Sequence, residues 1–140
     1  MSISRFAAEL GKVPMFAGCS QRELQIVARA VREVSHKAGT VIAREGEPGI
    51  GLFVIMKGSA SVTIGGSKKG TLSEGEFFGE IALLDGGPRT ATVTAETDIE
   101  LLGLTEWVFR GLVQQHPSIA VKTLQAMAAR LRSATKAATA

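Results

Sequence analysis

The apolar positions change period twice along the chain. Ile3, Phe6, Ala7 and Leu10 recur at helical spacing within Ser2 to Leu10. Ser20 followed by Glu23 forms a capping box, which predicts a helix through about Ala30. Its apolar face is Leu24, Val27, Ala28 and Val31. Between these helices, the link Val13 to Gly18 carries a proline and a glycine as breakers. From Val31 to about Leu104 the pattern shortens to strands separated by turn signals. These fall at Ala38-Gly39, Glu45 to Gly49, Lys57-Gly58, Gly65-Gly66, Glu74-Gly75 and Gly86-Gly87. Ala60, Val62 and Ile64 alternate with Ser59, Ser61 and Thr63, as a strand with one buried face requires. Leu52 to Met56 is continuously apolar and predicts a strand covered on both faces. Thr92 to Ala95 and Ile99 to Leu104 supply the last two strands, and Gly79 to Leu84 breaks the series as one short helix. Thr105 then caps a helix to about Gln115, and Pro117 opens another running toward Thr139. Its apolar stripe is Ala120, Leu124, Met127 and Leu131, opposite Lys122, Gln125, Arg132 and Lys136.

The predicted fold class is therefore mainly β with flanking helices. It is an antiparallel β-roll, double-stranded and jelly-roll-like, with N-terminal helices, one short internal helix and two C-terminal helices. Residues 1–140 read as one domain: helices over 1–30, the roll over 31–104, and C-terminal helices over 105–139. There are no internal repeats, and only the Ala/Thr/Lys tail after Ser133 approaches low complexity.

Composition removes several classes of function. A chain that is 45% hydrophobic and 21% charged is globular rather than disordered. The net charge of +3 is too mild and dispersed for a nucleic-acid stripe, though it suits a small anionic ligand. One cysteine, Cys19, excludes an internal disulfide and fits a reducing compartment. Cys19, His36 and His116 are too scattered to form a metal set, and the two histidines are expected to lie outside the roll strands. No apolar run reaches signal-peptide or membrane-span length, so a soluble, cytoplasmic protein is expected. Neither catalytic nor metal-binding residues are expected.

The chemistry concentrates in Phe78 to Ala91. Gly79 lets the backbone approach a ligand, and the short helix it opens offers N–H groups at Ile81 and Ala82 to an anion. Arg89 supplies a planar fork of donors. Extending the alternation of Val93 and Ala95 backward turns Arg89 and Ala91 inward, and no acidic residue alternates nearby to neutralise that charge. Glu80 either stabilises the helix N-terminus or serves a ligand.

The run FFGEIALLDGGPRTATV resembles the phosphate-binding cassette of cyclic-nucleotide-binding domains. Catabolite activator protein, protein kinase A regulatory subunits and cyclic-nucleotide-gated channels share that cassette. The resemblance extends over nearly the whole chain, with Gly39, Gly46, Gly58 and Gly75 at the roll turns. It implies that Arg89 and the N–H groups of Ile81 and Ala82 hold the cyclic phosphate. It also implies that Glu80 accepts from the ribose 2′-hydroxyl, with Gly79 and Phe78 in the same region. Thr90 and Ala91 fall by the phosphate and base edge. Arg130 or Thr135, on a last helix closing as a lid, meets the base. The implied ligand is cyclic AMP, with cyclic GMP the alternative, and no cofactor or metal is needed. The implied partner is an effector protein or a covalently linked effector domain, with no direct nucleic-acid binding and no membrane insertion. The chain reads equally as a stand-alone sensor or as the regulatory part of a larger protein such as a channel. A roll serving only as an interaction or structural domain is the competing expectation.

Overall fold

The structure is a computed structural model and describes residues 2–49 and 51–139, with side chains described through residue 135. The chain divides into two compact units, Met1–Arg29 with Arg110–Ala140, and Ala30–Phe109.

The second unit is the roll. Its strands are β1 (Arg32–His36), β2 (Val41–Ala43), β3 (Gly51–Lys57), β4 (Ala60–Ile64), β5 (Ser67–Leu72), β6 (Phe77–Phe78), β7 (Thr92–Ala95) and β8 (Ile99–Thr105). They form two antiparallel four-stranded sheets, ordered β1-β8-β3-β6 and β2-β7-β4-β5. One apolar cluster draws on both sheets: Ile55, Ile99 and Leu101 from the first, Ala43, Ala60, Val93 and Ala95 from the second. The predicted turns fall at the strand ends. Val54 and Ile55 alternate in direction and both are buried, so β3 is covered on both faces as its unbroken apolar run requires.

Three details of the roll differ from the sequence reading. Ile64 is 43% exposed, because the alternation of β4 runs out into the hairpin before β5. The polar segment Ser67–Leu72 is a strand that carries no apolar period, since as a sheet edge it pairs only with β4. Lysines on such an edge discourage further strand pairing. His36 ends β1 and so lies on a roll strand after all.

The first unit contains α1 (Ile3–Leu10), α2 (Gln21–Ala30) and α5 (Pro117–Thr139). The division between the units falls within α4 (Glu106–Gln115), where the Thr105 hydroxyl accepts from the Val108 N–H at 3.2 Å. Ser20 and Glu23 make the reciprocal bonds of the capping box, at 3.2 and 2.8 Å. The segment between α1 and α2, which its breakers marked as a link, is core. Pro14–Phe16 forms a 3-10 turn, and Val13, Met15 and Phe16 are fully buried. The buried face of α5 also differs from its predicted stripe. Ile119 and Thr123 are the buried residues, whereas Leu124 and Leu131 are 69% and 68% exposed. The helix packs on the Pro14–Phe16 turn, and the face it buries is not that of the longest apolar repeat.

Buried Glu23 joins α2 to α5. Its carboxylate accepts from Lys122 Nζ, from Ser118 Oγ at 2.5 Å and from the Ser20 N–H. The Lys122 bond foremost, then that of Ser118, hold its pKa down to about 2 from the ordinary 4.5. A depressed carboxyl pKa adds stability that is complete above the unfolded value and lost as pH falls through the folded one. Thermal stability is therefore expected to fall between about pH 4.5 and pH 2, less steeply in Glu23→Gln. Melting curves across that range give the comparison, and identical slopes would refute the assignment. Nearby Cys19 is a free thiol whose pKa burial pushes up, with Glu23 adding to the rise, the profile of an unreactive cysteine.

Candidate functional site

The helix α3 (Glu80–Asp85) follows directly on β6, and Gly79 at its N-cap has φ +90°. No side chain caps this terminus, and the first intrahelical bond is Leu83 N–H to Gly79 O at 3.0 Å. The N–H groups of Ile81 and Ala82 precede it and lack an intrahelical acceptor by helix geometry. A Cβ on Gly79 would collide with both Arg89 Nη1 and the carbonyl oxygen of Gly51. The absence of a side chain is what lets the guanidinium lie against the α3 N-terminus.

Arg89 comes from a loop before β7, so strand alternation is not what turns it inward. A short antiparallel pairing with the Gly46–Pro48 turn fixes the backbone. Arg89 N–H donates to Glu47 O at 2.8 Å, Gly46 N–H donates to Arg89 O at 2.8 Å, and Pro48 bridges Pro88. Gly49 continues this approach, since a Cβ there would strike that of Ala82.

The Arg89 side chain is 8% exposed. Its Cζ stands 5.8 Å from the centre of the Phe53 ring, which stacks on Phe78 at 5.3 Å and 29°. Nη1 is buried with no hydrogen-bond partner among the described residues. Burial lowers the pKa of the guanidinium from its ordinary value. Arginine nevertheless keeps its charge in proteins, so the environment holds a cation that its neighbours do not satisfy.

These groups line a concave cleft of about 210 Å³ in the roll. Phe78, Gly79, Glu80, Ile81, Ala82, Arg89, Thr90 and Ala91 all border it. Glu80 is buried in the first turn of α3, while Ile81 and Thr90 are exposed. Ala43, Phe77, Pro88 and Val93 complete the lining. Phe77, Pro88 and Val93 lie in the motif run without a role of their own, and Ala43 and Phe53 lie outside it, because an apolar residue on a strand carries no mark distinguishing a ligand wall from core. Arg130 and Thr135 lie on α5 in the helical unit, both exposed. Among the described residues no three His, Cys, Asp or Glu side chains converge as a metal site. Nor, among the described residues, is any helix long and apolar enough to cross a membrane.

A fixed cation, backbone donors and an apolar wall meet in one cleft of an antiparallel roll, a combination whose chemistry suits an anion. The family model for the cyclic nucleotide-binding domain matches residues 33–116, and the chain belongs to that family. It is 42% identical over 108 residues to a cyclic nucleotide-gated potassium channel of Mesorhizobium japonicum, covering 77% of this chain and 30% of that protein. It is 32% identical over 106 residues to a cAMP-dependent protein kinase regulatory subunit of Colletotrichum orbiculare, covering 74% and 27%. The chain thus spans less than a third of the length of these curated relatives. Among solved structures, the N-terminal domain of a transcriptional regulator from Streptomyces coelicolor matches with a TM-score of 0.81 and 31% identity, covering 89% of this chain and 90% of that one.

Proposed function

We propose that the roll cleft binds a cyclic nucleotide, cyclic AMP in preference to cyclic GMP, and that the chain is a ligand-sensing module rather than a catalyst. The observation that carries this is the buried, unpartnered Nη1 of Arg89 beside the α3 N-terminus. A cyclic monophosphate has one negative charge, which one arginine and two or three backbone N–H groups match. In this reading Arg89, Ile81 and Ala82 hold the phosphate. Glu80 accepts from the ribose 2′-hydroxyl beside Gly79, and Phe78 and Ala91 wall the site. Thr90 lies at the base edge, and Arg130 and Thr135 meet the base as α5 closes. The name of the cAMP-dependent kinase subunit among the relatives supports the choice of base. Closure of α5 relays the signal to an effector, either a cytosolic protein partner or a covalently linked domain, and the size of the shift is bounded by the ligand's differential affinity for the two arrangements.

Calorimetric titration with cyclic AMP, cyclic GMP and 5′-AMP tests the proposal. Saturable binding in that order of affinity is expected, with 5′-AMP weakest because its phosphate carries more charge and is not tied back to the ribose. Absence of saturable binding by either cyclic nucleotide would leave the roll as an interaction domain. Thr90→Val is expected to weaken cyclic GMP more than cyclic AMP, because a hydroxyl at the base edge can accept from the guanine amino group. Equal loss for both would remove Thr90 from base selection.

A further inference from the structure

The helix α5 has two unlike parts. In its first two turns, Ser118 and Lys122 stand four residues apart on one face, and both donate to Glu23. Ile119 and Thr123 are buried over the same stretch. Beyond Thr123 none of the described side chains is buried: Leu124 and Leu131 are exposed, and Ala126 and Met127 are half-buried. Glu23 is itself fixed by its capping box, with the Ser20 N–H on Oε1 and its own N–H on the Ser20 hydroxyl. One carboxylate therefore ties the N-terminus of α2 to the first two turns of α5.

We infer that Glu23 is the pivot of α5, a positioning residue that pins residues 117–123 to α2 and confines ligand-driven movement to the helix beyond Thr123. The inference rests on the proposed closure of α5 for its link to ligand. The anchor itself is independent of ligand. The carboxylate accepts from groups on both helices, so tilting the first turns of α5 away would strip it of two charge-assisted or side-chain donors at once. Beyond Thr123 no described side chain of the helix is buried.

Amide exchange on the full chain tests this with wild type, Glu23→Gln and Lys122→Gln, each with and without saturating cyclic AMP. Lys122→Gln leaves the capping box intact, so it loosens α5 without touching α2. Without ligand, both variants are expected to exchange residues 117–123 about tenfold faster than wild type, with 124–136 unchanged. With cyclic AMP, protection in wild type is expected to begin beyond Thr123 and in the variants to spread back into 117–123. A purely structural contact would not move that boundary. Unchanged exchange of 117–123 in both variants overturns the anchor. Ligand protection of 117–123 equal to that of 124–136 in wild type overturns the pivot. If α5 does not respond to ligand in any protein, the closure reading and the pivot's signalling role fail, and the ligand-free comparison alone decides the anchor.

Discussion

Arg89→Met is expected to lose cyclic AMP binding while the unliganded roll stays about as stable as wild type. In most buried ion pairs the two effects come together, because removing one partner strands the other. In the proposed function the partner is the ligand. Nη1 is already buried without a hydrogen bond, a condition that costs about 1–3 kcal/mol for a polar group. Methionine removes that cost and keeps most of the side-chain length over Phe53. Against this stands the lost attraction between the guanidinium and the Phe53 ring, about 0.5–2 kcal/mol. The two terms nearly cancel in the free protein. In the complex nothing replaces the charge, and losing a buried charged contact typically costs about 2–5 kcal/mol, or roughly 30- to 4000-fold in affinity. At cyclic AMP of about 100 times the wild-type Kd, wild type should gain about 2.7 kcal/mol and melt several degrees higher. The variant should not shift. Arg89→Lys should fall between the two, keeping the charge but losing the planar fork. Binding by Arg89→Met within twofold of wild type would refute the phosphate assignment. Collapse of the unliganded variant would show that Arg89 is structural.

The features legible in the sequence are those that local chemistry dictates. Ser20 and Glu23 mark a helix start because the two groups satisfy each other's backbone donors within four residues. Phe78 to Ala91 stands out because a glycine, a helix start and an arginine fall in close order, and the structure brings them to one cleft. The misreadings arise where long-range packing decides. Pro14 and Gly18 look like punctuation, yet the residues between them are core, because a 3-10 turn can bury its side chains as well as a helix can. Leu124 and Leu131 belong to the strongest stripe on α5, but Ile119 and Thr123 are the residues it buries. Arg89 is buried as expected, for a different reason. Its backbone is set by pairing with Gly46 to Pro48, over forty positions away, and not by the parity of β7. Glu23 shows the same limit at a single residue. Its capping role is local and readable, whereas its bonds to Ser118 and Lys122 join positions nearly one hundred residues apart.

Gly79→Ala is expected to damage both the roll and the cleft, through two causes that add. At φ +90° an alanine is strained, which costs about 1–3 kcal/mol. Its methyl group would also strike Arg89 Nη1 and Gly51 O. The guanidinium is the end of a flexible chain and can swing aside, at the expense of the geometry that faces the α3 N-terminus. The Gly51 carbonyl cannot, because it belongs to β3, whose first residue pairs with Thr105 of β8. Relief must therefore come from moving α3 or displacing Arg89, and either takes phosphate donors out of register. The variant should lose about 2–4 kcal/mol of stability in denaturant melts and at least tenfold in cyclic AMP affinity. Gly70→Ala is the matched control. Gly70 lies on the edge strand β5, has ordinary φ, and an added Cβ there meets nothing within 4 Å. That substitution should leave binding unchanged and stability equal or higher by up to about 1 kcal/mol. If the two variants behave alike, the close approach of Arg89 to the α3 N-terminus does not hold the site together. If only Gly79→Ala fails, and its remaining folded fraction binds weakly, the glycine is required for the cation's position as well as for the turn.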